Sequence, residues 1–478
     1  MDALYSVAEI VAATGGLARG VDAQHVNSIS IDSRDIEPGA LFVAIKGDRF
    51  DGHDFVAAAI ANGAVAALVS EEYAPGFTSQ PLIIVPDALE GLVDLARAAR
   101  AHSKAKIIAV TGSVGKTSTK EAIRGVLERA GKTHASIKSF NNHWGVPLML
   151  SRMPKNADYG VFEIGMNHAG EISPLSKLVQ PHVVVITNVA PAHLDQLGSL
   201  EAIAEAKAEI FDGLVEGGTA VLNIDHAQAE ILTTSARDAS IRKIVTYGFD
   251  ENADVRIDEA RQTDNGMTAR IVWPDTSVRV NIPSSGRHRL ANATAALCVA
   301  RVLNVGMQET VAALGMQKEI EGRGVVFKLG APENPLTLVD ESYNANPASM
   351  QATLEVFAGM RVQNGRKFLV LGDMLELGNK SLELHENLAD AVLKCEADSI
   401  FLVGEQMAAL AEKLGKTRIS GHSLSVGGIN TSILNSLDYG DVIMIKGSNG
   451  MRLGDLVSQI RDRFAAAGTT EQADKGAN

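Results

Sequence analysis

Lys116 and Thr117 end a glycine-rich turn, Thr111-Gly112-Ser113-Val114-Gly115-Lys116-Thr117-Ser118. That combination suits the phosphates of a nucleoside triphosphate. Gly112 and Gly115 let backbone N–H groups approach phosphate oxygens, Lys116 can reach the terminal phosphates, and the Thr117 hydroxyl can ligate Mg²⁺. All eight residues are candidate nucleotide contacts. The loop is one glycine short, because Val110 stands six residues before Lys116, where the general pattern has Gly. A plain strand-to-helix turn is the alternative, and the order of strand, glycines, Lys-Thr and helix argues against it.

Further along the chain, residue types suggest a partner for that loop. Glu163 is an acid inside the apolar run Val161-Phe162-Glu163-Ile164. Such a position is costly unless the acid is paired or bound to a cation. It is either a strand-end salt bridge or a carboxylate aimed at nucleotide Mg²⁺. His193 closes the loop Thr187–His193 and is a second metal ligand or a solvated loop histidine. Lys207 falls on the apolar stripe of Ile203, Ile210 and Leu214, read as one helix over Glu201–Leu214. Its amine either snorkels to water or is held neutral by burial, able to add CO₂ and become a metal-binding carbamate. Asp340-Glu341-Ser342-Tyr343-Asn344-Ala345-Asn346-Pro347 is dense in hydrogen-bonding groups. It reads as a binding turn or as a polar turn with a helix cap. Arg323, between Gly322 and Gly324, can swing onto developing phosphoryl charge or sit at the surface.

These residues need elements to place them. Strand-like runs at Ile107–Val110, Val161–Ile164, Val183–Ile186, Ala220–Leu222 and Ile244–Tyr247 alternate with helical patterns, which predicts a doubly wound, mainly parallel sheet. After the phosphate loop, Ala122, Ile123, Val126, Leu127 and Ala130 form an apolar stripe, with Gly131 at the expected C-cap. Ala253–Ile282 alternates as an antiparallel extension, and Leu290–Leu303 reads as a helix. Before the loop, short strands at Ser28–Ile31, Leu41–Ile45, Val65–Val69 and Leu82–Val85 precede a helix over Ala88–Ser103 capped by Asp87. After the linker at Gly322-Arg323-Gly324, Phe368–Leu371, Ile400–Val403 and Val442–Ile445 each run toward a glycine, and those turns are site candidates.

The expected chain is α/β with three domains. A smaller N-terminal α/β domain spans 1–86. The central domain with the phosphate loop spans 87–323, a Rossmann-like α/β domain spans 324–466, and a disordered tail spans 467–478. Its 478 residues suit about three domains. A net charge of −13 disfavours nucleic acid as a partner, and two distant cysteines, Cys298 and Cys395, suit a reducing compartment. With no signal peptide and no apolar run long enough to insert in a membrane, a cytoplasmic protein is expected.

Together these motifs resemble the Mur ligases, ATP-dependent amino-acid and peptide ligases of peptidoglycan synthesis. The family shares the short loop Thr-Gly-x-x-Gly-Lys-Thr. Further matching stretches are Ile31-Asp32-Ser33-Arg34, Gly39–Gly47, Asp51-Gly52-His53-Asp54-Phe55, Asn141–Pro147, Glu163 in Glu-Ile-Gly-Met-Asn, Ala206–Ile210 and Tyr343–Pro347. The branch of best match adds D-alanyl-D-alanine to UDP-N-acetylmuramoyl-tripeptide through an acyl phosphate. The resemblance implies ATP and Mg²⁺ as cofactors, carbamylated Lys207, and a monomer.

By the same resemblance, Lys116, Lys207 and Arg323 are catalytic. Thr117, Glu163, His193 and Lys207 hold metal. Ser33, Arg34, Lys46 and Gly47 bind the UDP part, and Asn141 and Asn142 face the sugar-peptide. His288 and Asn292 lie near adenine, and Arg323 and Asp340 contact phosphates and ribose. Tyr343, Asn344, Asn346 and Lys446 meet nucleotide or dipeptide. One departure is His288-Arg289, where many relatives have His-Asn. The rival within the family is the branch adding a diamino acid to UDP-N-acetylmuramoyl-dipeptide, whose Asp-Asn-Pro-Arg motif is absent here. A nucleotide-switch protein is the rival of another class. Asn379-Lys380-Ser381-Leu382 fails its guanine motif, and no Gly-x-Gly-x-x-Gly follows a strand as a dehydrogenase requires.

Overall fold

Val183–Ile186 is buried at every position, as are Leu336–Asp340 and Val442–Lys446. Strands apolar on both faces must be sandwiched by helices, and that requirement organises the chain. The computed structural model describes residues 3–47, 49–137, 139–263, 266–318, 320–362 and 365–465. The expected disordered tail lies outside these residues, as does Asp48 of the Gly47-Asp48 turn.

Among the described residues three main sheets follow one another. The first, five-stranded, runs in the order Leu17–Arg19, Leu82–Val85, Ala66–Ser70, Ala40–Val43, Ser28–Ser30. The second has nine strands, with Lys106–Thr111 between Val183–Ile186 and Tyr159–Glu163. The third has six strands, and its neighbours pair in parallel except at the edge strand Val325–Leu329. The architecture is α/β with mainly parallel sheets. The expected antiparallel extension is present as Val255–Thr263, Gly266–Val272 and Ser277–Ile282.

In the nine-stranded sheet the chain leaves Lys106–Thr111 toward Thr133–Ala135 and Tyr159–Glu163. It then crosses to Val183–Ile186 on the opposite side. That reversal of strand order opens a crevice at the carboxyl end of Lys106–Thr111, where the phosphate loop begins. Helix Ala88–His102, capped by Asp87 accepting from the Glu90 N–H at 2.9 Å, carries the chain in from the first sheet. The first and second sheets share one apolar core, and Tyr5 Oη donates to the Ser151 carbonyl at 2.7 Å across their junction.

Two helices depart from their sequence patterns. The helix after the phosphate loop spans Lys116–Leu127, so Ala130 is exposed and Gly131 is not its cap. The Gly131 N–H still bonds the Leu127 carbonyl at 3.0 Å, in a turn beyond the helix. The single helix expected over Glu201–Leu214 is an α-helix, Leu200–Ala208, followed by a 3₁₀ turn, Glu209–Gly213. The cause lies in Glu209. Its carboxylate accepts from the backbone N–H groups of Gly170 (2.5 Å), Ile172 (3.1 Å) and Ser173 (3.1 Å), capping a neighbouring segment. Smaller shifts occur elsewhere: Ser103 is extended, and the helix expected from Leu290 begins at Arg287.

Candidate active site

Two glycines shape the phosphate loop. Gly112 has φ +147° and Gly115 has φ +85°, backbone conformations that side chains resist. A Cβ on Gly112 would overlap Thr187 Oγ1, and one on Gly115 would lie 2.8 Å from Asn292 Oδ1. The loop is held by the segment after Val183–Ile186. The Ser113 N–H donates to the Asn188 carbonyl (3.0 Å), Ser113 Oγ to the Ala190 carbonyl (2.9 Å), and the Val114 N–H to Asn188 Oδ1 (3.1 Å). Lys116 Nζ arches back to the Gly112 carbonyl at 2.7 Å. Gly115 offers no side-chain cap, so the first N–H groups of helix Lys116–Leu127 remain available to an anion.

Glu163 pairs in register with Val110, which sets its carboxylate beside the loop. It is 1 % exposed and doubly satisfied: Thr117 Oγ1 donates to Oε2 and Asn141 Nδ2 to Oε1, both at 2.8 Å. Among the described residues this acid forms no ion pair within 4.0 Å, and a hydroxyl and an amide satisfy it. His193, at φ +57°, closes the Asn188 loop. Its Nδ1 lies 2.8 Å from Glu376 Oε2 of the third sheet's domain, in ion-pair contact without hydrogen-bond alignment. That contact chiefly holds the Glu376 carboxyl below its usual range.

Lys207 does not snorkel. It is 2 % exposed, and among the described residues its ammonium has no hydrogen-bond or ion-pair partner. Burial first, and Lys116 second, push the amine well below its ordinary pKa. Among the described residues no three His, Cys, Asp or Glu side chains gather as a metal cluster.

Opposite stand groups from the third sheet. Asn346 caps helix Pro347–Ala358, its side chain accepting from the Ser349 N–H at 2.9 Å, with Pro347 in the first turn. The cap reading therefore holds, and Glu341, Tyr343, Asn344 and Asn346 of the same stretch line the cavity. Tyr343 Oη donates to Ser139 Oγ of the central domain at 2.6 Å, and the Arg323 guanidinium lies 4.2 Å from the Tyr343 ring centroid. Lys446 Nζ, from a strand end, donates to the Asn344 carbonyl (3.0 Å) and Glu341 Oε2 (3.4 Å). Burial lowers its pKa, and Glu341 opposes that shift.

These groups enclose a cavity of about 500 Å³ lined by Ser113–Ser118, Asn141, Asn142, Glu163, His193, His288, Asn292, Arg323, Tyr343, Asn344, Asn346 and Lys446. Its cations Lys116, Arg289, Arg323 and Lys446 face the acids Glu163, Glu171 and Glu341. Burial, then Arg289, lowers His288 to a pKa of about 3, so its imidazole is neutral. Asn292 Oδ1 accepts from Thr119 Oγ1 at 3.1 Å.

Several expected residues lie elsewhere. Thr111 and Gly112 sit behind the loop rather than on the cavity wall, and Lys207 lies outside its lining. Asp340 is 2 % exposed and occupied: it accepts from the Gly322 N–H (2.9 Å), the Ser342 N–H (3.0 Å) and Ser342 Oγ (2.6 Å). Ser33, Arg34, Lys46 and Gly47 belong to the first sheet's domain and line none of this cavity. There Lys46 Nζ donates to Tyr73 Oη at 2.9 Å, and Arg34 pairs with Asp32 at 2.7 Å. Of the glycine turns, Gly372 and Gly447 pack on each other and Gly404 on Asp373. Glu376, Ser139 and Glu341 were not anticipated. Glu341 had a signal in the polar run it belongs to, whereas Glu376, in Met374-Leu375-Glu376-Leu377, had none.

Known proteins match along the same three parts. The Mur ligase family catalytic domain matches residues 25–101, the Mur ligase middle domain 110–300, and the Mur ligase glutamate ligase domain 327–449. The UDP-N-acetylmuramoyl-tripeptide–D-alanyl-D-alanine ligase of Escherichia coli (strain K12) is 35% identical over 440 residues, covering 91% of this chain and 94% of that protein. A crystal structure of MurF from Acinetobacter baumannii superposes with a TM-score of 0.83 at 31% identity, covering 96% of this chain and 99% of that one. MurF ligase from Thermotoga maritima in complex with ADP gives 0.76 at 28% identity, covering 91% and 97%. The chain belongs to the Mur ligase family.

Proposed function

We propose that this chain joins D-alanyl-D-alanine to UDP-N-acetylmuramoyl-tripeptide at the expense of ATP, in the cytoplasm and as a monomer. The observation that carries this reading is the cavity. It sets a short phosphate loop and the buried Thr117–Glu163 pair against Tyr343, Asn344 and Lys446 of another domain. Relatives named for this activity, alike over nine-tenths of the chain, support it. The domains divide at 1–86, 87–323 and 324–466.

A carboxylate oxygen of the tripeptide attacks the γ-phosphorus, the P–O bond to ADP breaks, and an acyl phosphate forms. The dipeptide amine then attacks the acyl carbon, and the tetrahedral intermediate expels phosphate while the amine loses its proton. Two anions must meet, so Lys116 and Arg323 neutralise charge as it moves. Tyr343, Asn344, Asn346 and Lys446 hold the acceptor side. Closure by the Tyr343–Ser139 bond keeps water from the acyl phosphate.

His288 and Asn292 hold the adenine end, while Asp340 serves by fixing Gly322 and Ser342. Ser33, Arg34, Lys46 and Gly47 take the UDP part, and Asn141 and Asn142 the sugar-peptide. Thr117 and Glu163 fit Mg²⁺, since a hydroxyl and a carboxylate already converge, and His193 joins by leaving Glu376. When bound, the metal offsets phosphate charge. The unpartnered Lys207 amine suits carbamylation: its nitrogen bonds the carbon of CO₂ and a proton is released, leaving an anion.

The test is phosphate release with ATP and each acceptor in turn. D-alanyl-D-alanine with the UDP-tripeptide should turn over. Turnover only with a diamino acid and the UDP-dipeptide refutes the reading.

A further inference from the structure

We propose that Arg289 is a positioning residue that ties the phosphate-loop helix to the C-terminal domain and sets Arg323 over the cavity. Its guanidinium makes contacts to three elements. Nη1 donates to Ser118 Oγ at 3.2 Å, in the first turn of helix Lys116–Leu127. Nη2 donates to the Arg323 carbonyl in the interdomain segment. Nη2 also lies 4.0 Å from Glu341 Oε1, at the end of strand Leu336–Glu341. The side chain is 13% exposed, so these contacts are made largely out of water. A planar fork can serve three partners at once; an ammonium is a point charge, and an Asn amide is too short.

The surroundings are built around this contact. Gly324 has φ +92°, and a Cβ there would lie 2.5 Å from Arg289 Nη2 and 3.1 Å from Glu341 Oε1. The segment carrying Arg323 is pinned on both sides of it. The Arg323 N–H donates to the Ile320 carbonyl (2.9 Å) and the Gly324 N–H to the Asp340 carbonyl (2.8 Å). With the Arg323 carbonyl also held, the peptide plane is fixed, and the side chain leaves it over the Tyr343 ring. Glu341 is shared with Lys446, so the clamp reaches the strand end that faces the acceptor side. Ser118 is the residue after Thr117. Occupancy of the loop therefore bears on the C-terminal domain through one side chain.

This inference rests on the proposed ligase reaction for its kinetic arm and on nucleotide alone for its structural arm. Both native cysteines are buried, so spin labels can be placed at Ala130→Cys and Leu424→Cys, both exposed. Pulsed dipolar measurements, with and without ADP, report the distance between the central and C-terminal domains. Arg289→Met and Arg289→Lys should both broaden the ADP-bound distance distribution. Each should lower kcat by roughly tenfold to a hundredfold, the upper end being the scale of a catalytic group misplaced by about 1 Å. In an Arg323→Ala background, adding Arg289→Met should cost less than about twofold more, because residues acting as one unit are not additive. Additive losses overturn the proposal, since Arg289 would then act directly on substrate. A wild-type distance distribution in both variants overturns it too. Should Arg289→Met fail to fold, Arg289→Lys and Glu341→Gln carry the same measurements. If wild-type protein releases no phosphate, the ligase reading fails, and the ADP-dependent distances still decide the clamp.

Discussion

Replacing Lys207 by Met should separate stability from activity in opposite directions. The ammonium is 2 % exposed and lacks a partner among the described residues, on a helix packed beside Ile203, Ala204 and Ala206, which are 0–2 % exposed. Burying a polar group without a hydrogen bond costs roughly 1–3 kcal/mol. Met fills similar volume with a flexible apolar chain, so repacking should cost less than about 1.5 kcal/mol. Lys207→Met should therefore be more stable than wild type in CO₂-free buffer, by up to roughly 3 kcal/mol. For a domain of this size each kcal/mol is about 2–4 °C in Tm.

Urea and calorimetric melts in degassed buffer measure that gain. Bicarbonate should then narrow it by converting wild-type Lys207 to an anion facing the Lys116 charge, and should leave the variant unmoved. Ligation should fall by about a hundredfold or more, the scale of losing an electrostatic group at the reacting centre. In Lys207→Ala, formate should restore part of it. Two results refute the reasoning: Lys207→Met less stable than wild type by more than about 1 kcal/mol, which means the amine has a partner, or unchanged turnover.

Two further substitutions probe the loop and the acid limit. Gly112→Ala forces a side chain into a φ of +147° and against Thr187 Oγ1. Strain of roughly 1–3 kcal/mol should weaken ADP binding by tenfold to a hundredfold in titration calorimetry, and unchanged affinity would contradict the loop geometry. His134 donates from Nε2 to the Met149 carbonyl at 2.7 Å, and burial lowers its pKa from 6.5 to about 4. The unfolded chain binds the proton more readily, so stability is full above pH 6.5 and falls toward pH 4, by about 3 kcal/mol in total. His134→Gln should flatten that slope in a urea–pH series, and parallel slopes would refute it.

How much of this was legible in advance depended on the range of the interaction. The phosphate loop, the strands around it and the Asn346 cap are local patterns of apolar runs and turn chemistry, and they lie where the sequence put them. Lys207 was visible as a charged residue on an apolar stripe, but its burial depended on where Leu200–Ala208 docks. The break at Glu209 came from a carboxylate capping Gly170–Ser173, thirty-odd residues away in sequence. The Glu376–His193 and Arg289–Glu341 contacts join separate domains, and no periodicity marks them. Asp340 lay in a polar run that invites a ligand, and only its three donors reveal that its oxygens are occupied.

The cavity's cations carry a consequence for how its anionic substrates arrive. The protein bears a formal charge of −13, yet Lys116, Arg289, Arg323 and Lys446 gather in one recess. Beyond a Debye length of about 8 Å at physiological salt, an approaching triphosphate feels little of the recess, and the weak residual field of the acidic body is repulsive. Attraction begins only inside the mouth. Salt should therefore act with opposite signs on the two halves of binding, easing the approach by screening the acidic body and loosening the hold by screening the recess. Capture becomes a short-range event, decided by contact with the phosphate loop rather than by long-range steering.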